Sequence, residues 1–258
     1  MKIEKLNLAK LNSVKILSIM ILGLMILLPM VVQANTGNPN PGILPPGSNA
    51  YGSTYGEWSA KWWQWAYSMP TTSHPLFDAD CSKGQSGDVW FLGGTFSSEQ
   101  LPSGIYVGIA NRNCVIPTGK ALFFPILNVE SSVIENNGIN EAELRAYSEW
   151  LMNHAVDLQA DIDGVAVKDL QIYRKQSPLF IFGPLPDNNV LQFLGFNNAF
   201  AGTTSESVAD GVYLLLAPLP KGDHKIHYSG EFIFTNENDG FDYQFKLDVN
   251  YNLKVVQE

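Results

Sequence analysis

The chain has 258 residues, of which 45% are hydrophobic and 16% are charged, and its formal net charge at pH 7 is -9. This length is sufficient for one all-β domain, or two small ones, with a substantial core. The acidic charge repels phosphate backbones and anionic lipids, which argues against nucleic-acid binding and against membrane-surface binding.

The first 34 residues have the organisation of a secretory signal peptide. Lysines between positions 2 and 15 precede an uncharged apolar run over 16–32, and the small residues Val32 and Ala34 suit signal peptidase. The sequence therefore predicts cleavage near Ala34, a secreted or periplasmic protein, and only transient membrane contact. An uncleaved anchor is disfavoured because the run is somewhat short for a spanning helix. Cleavage changes 16 basic and 25 acidic residues to 12 and 24, a net charge of -12.

Residues 35–50, NTGNPNPGILPPGSNA, are rich in Pro, Gly and Asn and predict a flexible tether. Residues 51–258 are expected to form a single domain. Within it, Cys81 and Cys114 are an even pair in an exported chain, so a disulfide is the default interpretation. A free nucleophilic thiol is the alternative.

A tryptophan-rich helix is predicted at the start of the domain. Thr54 and Glu57 have capping-box spacing, and Pro70 ends a helix that runs to about Ser68. Two interpretations of this helix are open. In the structural interpretation, its apolar stripe packs on the domain as an aromatic seal. In the functional interpretation, Trp63 and Tyr67, beside the stripe, face solvent and stack on a sugar ring or a partner side chain. The stripe consists of Tyr55, Trp58, Trp62, Trp65 and Met69.

Strand patterns follow from Asp88 onwards. Short apolar runs lead through Trp90, into Cys114 and through ALFFPIL, with a turn at 117–120. One helix of about four turns interrupts them, capped by Asn140. A hairpin is then predicted around Asp163-Gly164.

The clearest pattern lies at the C-terminus. From Phe241 to Val255 every odd position is apolar and every even one is polar, which is the period of a strand with one buried face. Its expected partner is HKIHYSGEFIF, 224–234, joined through the turn at 236–240. We predict a mainly β fold, a two-layer antiparallel β-sandwich (Ig-like or jelly-roll-like) with the tryptophan-rich helix and one inserted helix.

Motifs for catalysis or metal binding are not evident. His224 and His227 would lie on opposite faces of a strand, and the 236–242 turn fails the EF-hand pattern, which leaves a plain turn, or a non-helical calcium site as the alternative. Gly84-Gln85-Ser86-Gly87 lacks the spacing of a nucleophile elbow. A carboxylate pair of a glycoside hydrolase is conceivable, but nothing in the sequence distinguishes two of the acidic residues. No metal, cofactor or catalytic residue is predicted.

Several segments resemble a group of exported bacterial proteins of uncharacterised function that share the GEWSAKWWQW segment. The resemblance implies a bacterial secreted single domain and no activity, ligand or site residue. The segments that carry it are YGEWSAKWWQWAYSMP (55–70), PTGKALFFPILN (117–128), DIDGVAV (161–167), YRKQSP (173–178) and GDHKIHYSG (222–230).

We expect a secreted or periplasmic, non-catalytic binding protein for a glycan or a protein surface. The ligand-binding residues would be Trp63, Tyr67 and Trp90, with Asn and Asp of the 136–140 and 236–240 loops as hydrogen-bonding partners. The alternatives are an extracellular hydrolase that uses paired carboxylates and a structural envelope component. Carboxyl groups roughly 5 to 9.5 Å apart in a deep pocket would favour the hydrolase.

Overall fold

The structure is a computed structural model that describes residues 40, 42–78 and 80–257. The chain divides into two units, Met1–Gly37 and Asn38–Glu258, and the described residues belong to the second. The predicted signal peptide, 1–34, and the start of the predicted tether lie outside the described residues.

The described residues form four α-helices and eleven strands. Helices and strands are, in chain order, α1 Tyr55–Tyr67, β1 Val89–Phe91, β2 Glu99–Gln100, β3 Tyr106–Pro117, β4 Ala121–Ser132, α2 Glu141–Met152, β5 Ala155–Ile162, β6 Val165–Ala166, β7 Arg174–Gln176, β8 Phe180–Phe182, α3 Val190–Phe193, β9 Ser205–Leu216, β10 Gly222–Phe234, α4 Asn236–Asp239 and β11 Tyr243–Val256.

The strands form two sheets in an open, sandwich-like arrangement, so the predicted mainly β fold is confirmed. The five-stranded sheet has the order β1-β4-β9-β7, with β8 also on β9, and the six-stranded sheet has the order β2-β3-β11-β10-β5-β6. Both sheets are mixed, because β1 is parallel to β4 and β3 is parallel to β11. The predicted turn at 117–120 leads from one sheet to the other, because β3 and β4 belong to different sheets. The predicted hairpin at Asp163-Gly164 joins β5 to β6.

The six-stranded sheet follows the predicted alternation. In β11 the odd positions from Leu247 to Val255 are buried, and β10 pairs with β11 along its whole length in antiparallel register. The alternation fails at the start, where Phe241 and Tyr243 are exposed and Phe245 is only half-buried. The apolar period shows which face of the strand each side chain points to, but it does not show whether another layer covers that face. At this end of β11, Tyr243 and Phe245 border a cleft instead.

The central strands of the five-stranded sheet, β4 and β9, are buried on both faces. Phe123 stacks on Tyr213 at 5.4 Å on the face that packs against α1, and Phe124 stacks on Tyr228 of β10 at 5.4 Å on the other face. β4 and β9 therefore read as nearly continuous apolar runs rather than as alternating patterns.

Helix α1 is enclosed on nearly all sides. The predicted capping box between Thr54 and Glu57 is present. One side of the helix packs on the five-stranded sheet, and the segment 71–98 covers another. Trp62 Nε1 donates to the carbonyl of Leu92 at 2.7 Å, and the ring of Trp65 contacts Phe91. The structural interpretation, in which the aromatic side chains of α1 pack on the domain, is therefore confirmed.

The disulfide between Cys81 and Cys114 is confirmed. It joins the segment before β1 to β3 across a Cα–Cα distance of 5.7 Å. The inserted helix is confirmed as α2, with Asn140 and Glu143 forming a capping box.

Part of the predicted tether is anchored. Ile43 is buried and bridges to Leu216 of β9, and the backbone N–H of Leu44 donates to Leu215 at 2.8 Å. Asn40 is also buried, and its amide donates to the carbonyl of Lys168. The two apolar residues in this Pro-rich segment pair with the edge of the core, an interaction that composition alone does not reveal.

Position 249 tests the register of β11. Val249→Asp should cost several kcal/mol of unfolding free energy because it buries an unpaired carboxylate. Lys254→Asp, exposed on the opposite face of the same strand, should stay within about 0.5 kcal/mol. Urea denaturation measures both, and equal midpoints would contradict the register.

The enclosure of α1 predicts similar losses at adjacent tryptophans. Trp62→Ala and Trp63→Ala should each cost about 3 to 5 kcal/mol, since both remove a buried ring and leave a cavity. The control Gln64→Ala removes an exposed side chain of the same helix and should cost about 1 kcal/mol or less. A mild effect of Trp63→Ala in thermal or urea unfolding would show that Trp63 is not part of the core.

Candidate functional site

The three residues predicted to bind a ligand are all buried. Trp63 and Tyr67 are neighbours, with ring centroids 5.2 Å apart, but Trp90 lies apart from them beside the disulfide. Sugar stacking needs solvent-exposed rings, and none of these three rings is exposed. The prediction that Trp63 and Tyr67 face solvent is wrong because other parts of the domain cover this side of α1. In the predicted 236–240 loop, Asp239 already accepts from the backbone of Thr235 and contacts His154.

A pair of carboxyl groups lies where α1 meets the five-stranded sheet. Glu130, near the end of β4, accepts from the hydroxyl of Tyr67 at 2.8 Å and from the hydroxyl of Ser207. Glu135, in the turn after β4, accepts from the hydroxyl of Ser132 and hydrogen-bonds to Glu130. Both glutamates are half-buried when the whole residue is considered. Their carboxyl groups, however, are surrounded by protein.

Burial raises the pKa of Glu130 well above its usual range, and the adjacent Glu135 carboxyl raises it further. Burial also raises the pKa of Glu135. Two carboxylates in contact cannot both ionise at low cost. We therefore expect the two glutamates to share one proton over the pH range in which only one of them is ionised. No sequence pattern indicates this pair, because the two glutamates are five positions apart across the end of a strand.

The geometry of this pair does not fit glycoside hydrolysis. A retaining enzyme needs carboxyl groups about 5 to 5.5 Å apart and an inverting one about 6.5 to 9.5 Å. Glu130 and Glu135 are within hydrogen-bond distance of each other, which leaves no room for a sugar carbon or a water between them.

A cleft lined mostly by apolar side chains lies beside helix α1. It has a volume of about 300 Å³ and lies between α1, the 94–98 loop and the start of β11. We call it the aromatic cleft. The residues that line it are Trp62, Trp63, Leu76, Gly94, Thr95, Phe96, Ser98, Pro125, Leu127, Asn128, Leu194, Phe232, Tyr243, Phe245 and Leu247.

The aromatic cleft is uncharged along its described lining. Its polar groups are the hydroxyls of Thr95, Ser98 and Tyr243, the indole N–H groups of Trp62 and Trp63, and the amide of Asn128, which lies beside the hydroxyl of Tyr213. Burial raises the pKa of Tyr213, which faces Asn128 and Trp63, so its hydroxyl stays neutral. An apolar group could enter the cleft without displacing an ion, while the few polar groups of the lining could orient it.

Among the described residues, no group of three or more His, Cys, Asp or Glu side chains is placed to hold a metal ion. Among the same residues, no helix has the length and hydropathy to cross a membrane.

Comparisons with known proteins add little. The chain matches no protein-family model, and no curated protein matches it. A chain in the solved structure of PbICP-C in complex with falcipain-2 aligns with 66% of this chain and 100% of its own length, at 9% identity and a TM-score of 0.22. A likeness this weak carries no argument about fold or function.

The carboxyl pair predicts a pH-dependent stability difference. A glutamate with a raised folded-state pKa contributes stability that is complete below the unfolded pKa of about 4.3 and is lost as pH rises through the folded pKa. Glu130→Gln removes this titration while keeping a similar shape. The variant should therefore gain stability relative to the wild type as pH rises from about 5 to 8.

The control is Glu206→Gln, which makes the same substitution at an exposed position of β9. This control reports the effect of the substitution itself at an exposed position, and the gain with pH described for Glu130→Gln should exceed it. Urea unfolding over this range measures both variants, and a pH-independent difference for Glu130→Gln would refute the shared proton.

Proposed function

We propose that the protein is an exported, non-catalytic binding protein that takes an apolar side chain of a partner protein into the aromatic cleft. The observation that carries the proposal is the cleft itself, which is lined by aromatic and aliphatic side chains and has no charged residue in its described lining. A pocket that desolvates an apolar anchor is the typical centre of a protein interface.

Exposed apolar residues around the cleft favour a protein partner over a small molecule. Leu194 and Tyr243 line the cleft and are themselves exposed, and Phe193 and Phe241, close to them in the sequence, are exposed as well. Aromatic residues are enriched at protein interfaces, whereas a ligand that fits about 300 Å³ needs no such rim. A glycan is less favoured, since Trp63, Tyr67 and Trp90 are buried.

Export is supported by two features. The sequence predicts a signal peptide, and the Cys81–Cys114 disulfide is of the kind that persists in oxidising compartments. A binding role rather than a catalytic one is supported by the chemistry of the cleft. Its described lining offers no carboxylate, imidazole or thiol to transfer a proton or to attack a substrate.

The cleft is testable with the neutral fluorescent ligand N-phenyl-1-naphthylamine. Leu194→Glu places a carboxylate at the mouth of the cleft, at a side chain that is 46% exposed, so folding should be unaffected. Binding should weaken about tenfold or more, because the carboxylate must lose water when the ligand enters. Fluorescence titration measures the affinity, and thermal unfolding checks the fold.

Phe200→Glu is the matched control. Phe200 is 65% exposed and does not line the cleft, so this variant should bind N-phenyl-1-naphthylamine as the wild type does. Equal losses in the two variants, or no binding to the wild type, would contradict the proposal.

A further inference from the structure

The edge of β3 that faces away from β11 is open along most of its length. β11 pairs with β3 from Tyr106 to Pro117, but β2 pairs with it only at Tyr106 and Val107. Between Gly108 and Pro117, no other described residue makes a backbone hydrogen bond to β3. Because successive peptide groups of a strand point to alternate sides, about half of the N–H and C=O groups in this stretch lack a strand partner. Such an edge is a template for another strand.

A cavity of about 670 Å³ adjoins this part of β3. It touches five consecutive residues of β3, from Asn111 to Val115, together with residues outside the six-stranded sheet, among them Asp80 and Trp90. The opposite wall is the segment around the disulfide. We call this cavity the edge groove; it is lined by Asp78, Asp80, Cys81, Ser82, Trp90, Asn111–Val115, Pro117 and Val256.

Two buried donors belong to residues of the edge groove. The Arg112 side chain is 4% exposed and donates to Asp78 at 3.0 Å, to the carbonyls of Gly93 and Gly94, and to the hydroxyl of Tyr251. Its Nη2 atom and the indole Nε1 of Trp90 have no hydrogen-bond partner among the described residues. A buried donor without a partner costs free energy, so the interior behind the groove is not fully satisfied among the described residues.

The charge of the groove indicates what can occupy it. Asp78, whose side chain is 73% exposed, forms an ion pair with the buried Arg112, so these two charges compensate each other. The exposed carboxylate of Asp80 then leaves the lining of the groove with a net negative charge. A second copy of this chain would bring its own acidic wall against the first and place like charges together. An extended segment with basic side chains is complementary instead.

We propose that the edge groove binds an extended segment of a partner protein, which adds to the six-stranded sheet beside β3 and directs Lys or Arg side chains towards Asp80. This mode of recognition takes affinity from main-chain hydrogen bonds and specificity from alternate side chains. The groove is separate from the aromatic cleft, so the two proposals can fail independently.

Synthetic peptides test the proposal on the purified protein. A peptide of alternating Lys and Val, about ten residues long to match the open edge, should bind and should protect amides of β3 between Gly108 and Pro117 from hydrogen exchange. Two analogues should bind at least about tenfold more weakly. One replaces Lys by Glu, and the other carries N-methyl groups on alternate amides and so loses the edge hydrogen bonds.

Three variants locate the site. Asp80→Lys should weaken binding of the Lys/Val peptide and strengthen binding of the Glu/Val peptide, about tenfold each. Val115→Lys adds a cation at a position of β3 that is 57% exposed and should also weaken binding of the Lys/Val peptide. The control Val165→Lys makes the same change at a 68% exposed position of β6, on the far edge of the same sheet, and should have no effect.

Binding that survives N-methylation would indicate non-specific attraction to an acidic protein and would overturn the proposal. The absence of binding, or binding without protection of β3, would overturn it too. Concentration-dependent dimerisation that Val115→Lys abolishes, with no binding of the peptide, would assign the edge to a second copy instead. Leu194→Glu should leave peptide binding unchanged, which separates this test from that of the aromatic cleft.

Discussion

Two strands that are buried on both faces set the constraint on which the other layers depend. β4 and β9 pair over most of their length, and their apolar side chains point both ways, so each face of the five-stranded sheet must be covered. The six-stranded sheet packs on one face, helix α1 packs on the other, and helix α2 also packs against β4 and β9. Without either layer, large aromatic rings such as Phe123 or Phe124 would face water, at a cost of a few kcal/mol each.

The same constraint explains why α1 carries so many tryptophans and why the aromatic cleft exists. A single helix is narrower than the sheet it covers, so large rings fill the space beside it, and the segment 71–98 encloses them from the other side. Where this segment and the start of β11 leave the sandwich open, the rings of Trp62, Trp63 and Phe96 border a cleft. The cleft therefore arises at the limit of the layered core.

Two sets of ionisable groups lie at the borders of these layers, where several neighbours hydrogen-bond to them. The Glu130–Glu135 pair lies between α1 and the five-stranded sheet and is held by Tyr67, Ser132 and Ser207. Arg112 lies at the edge of the six-stranded sheet, where Asp78 and two carbonyl groups accept from it. Both arrangements fix the packing of loops against strands, and Arg112 also places a buried cation beside an otherwise acidic groove.

The sequence by itself determined the mainly β class, the capped helices α1 and α2, the hairpin at Asp163-Gly164, the disulfide and the register of β11 from Leu247 onwards, because each depends on local spacing or on chemical compartment. It could not determine that Trp63 and Tyr67 are buried, since a helix pattern does not show what covers its second side. Nor could it bring Glu130 to Glu135 or leave one edge of β3 open. Those features depend on which strands become neighbours, and only the packing of the two sheets and α1 decided that.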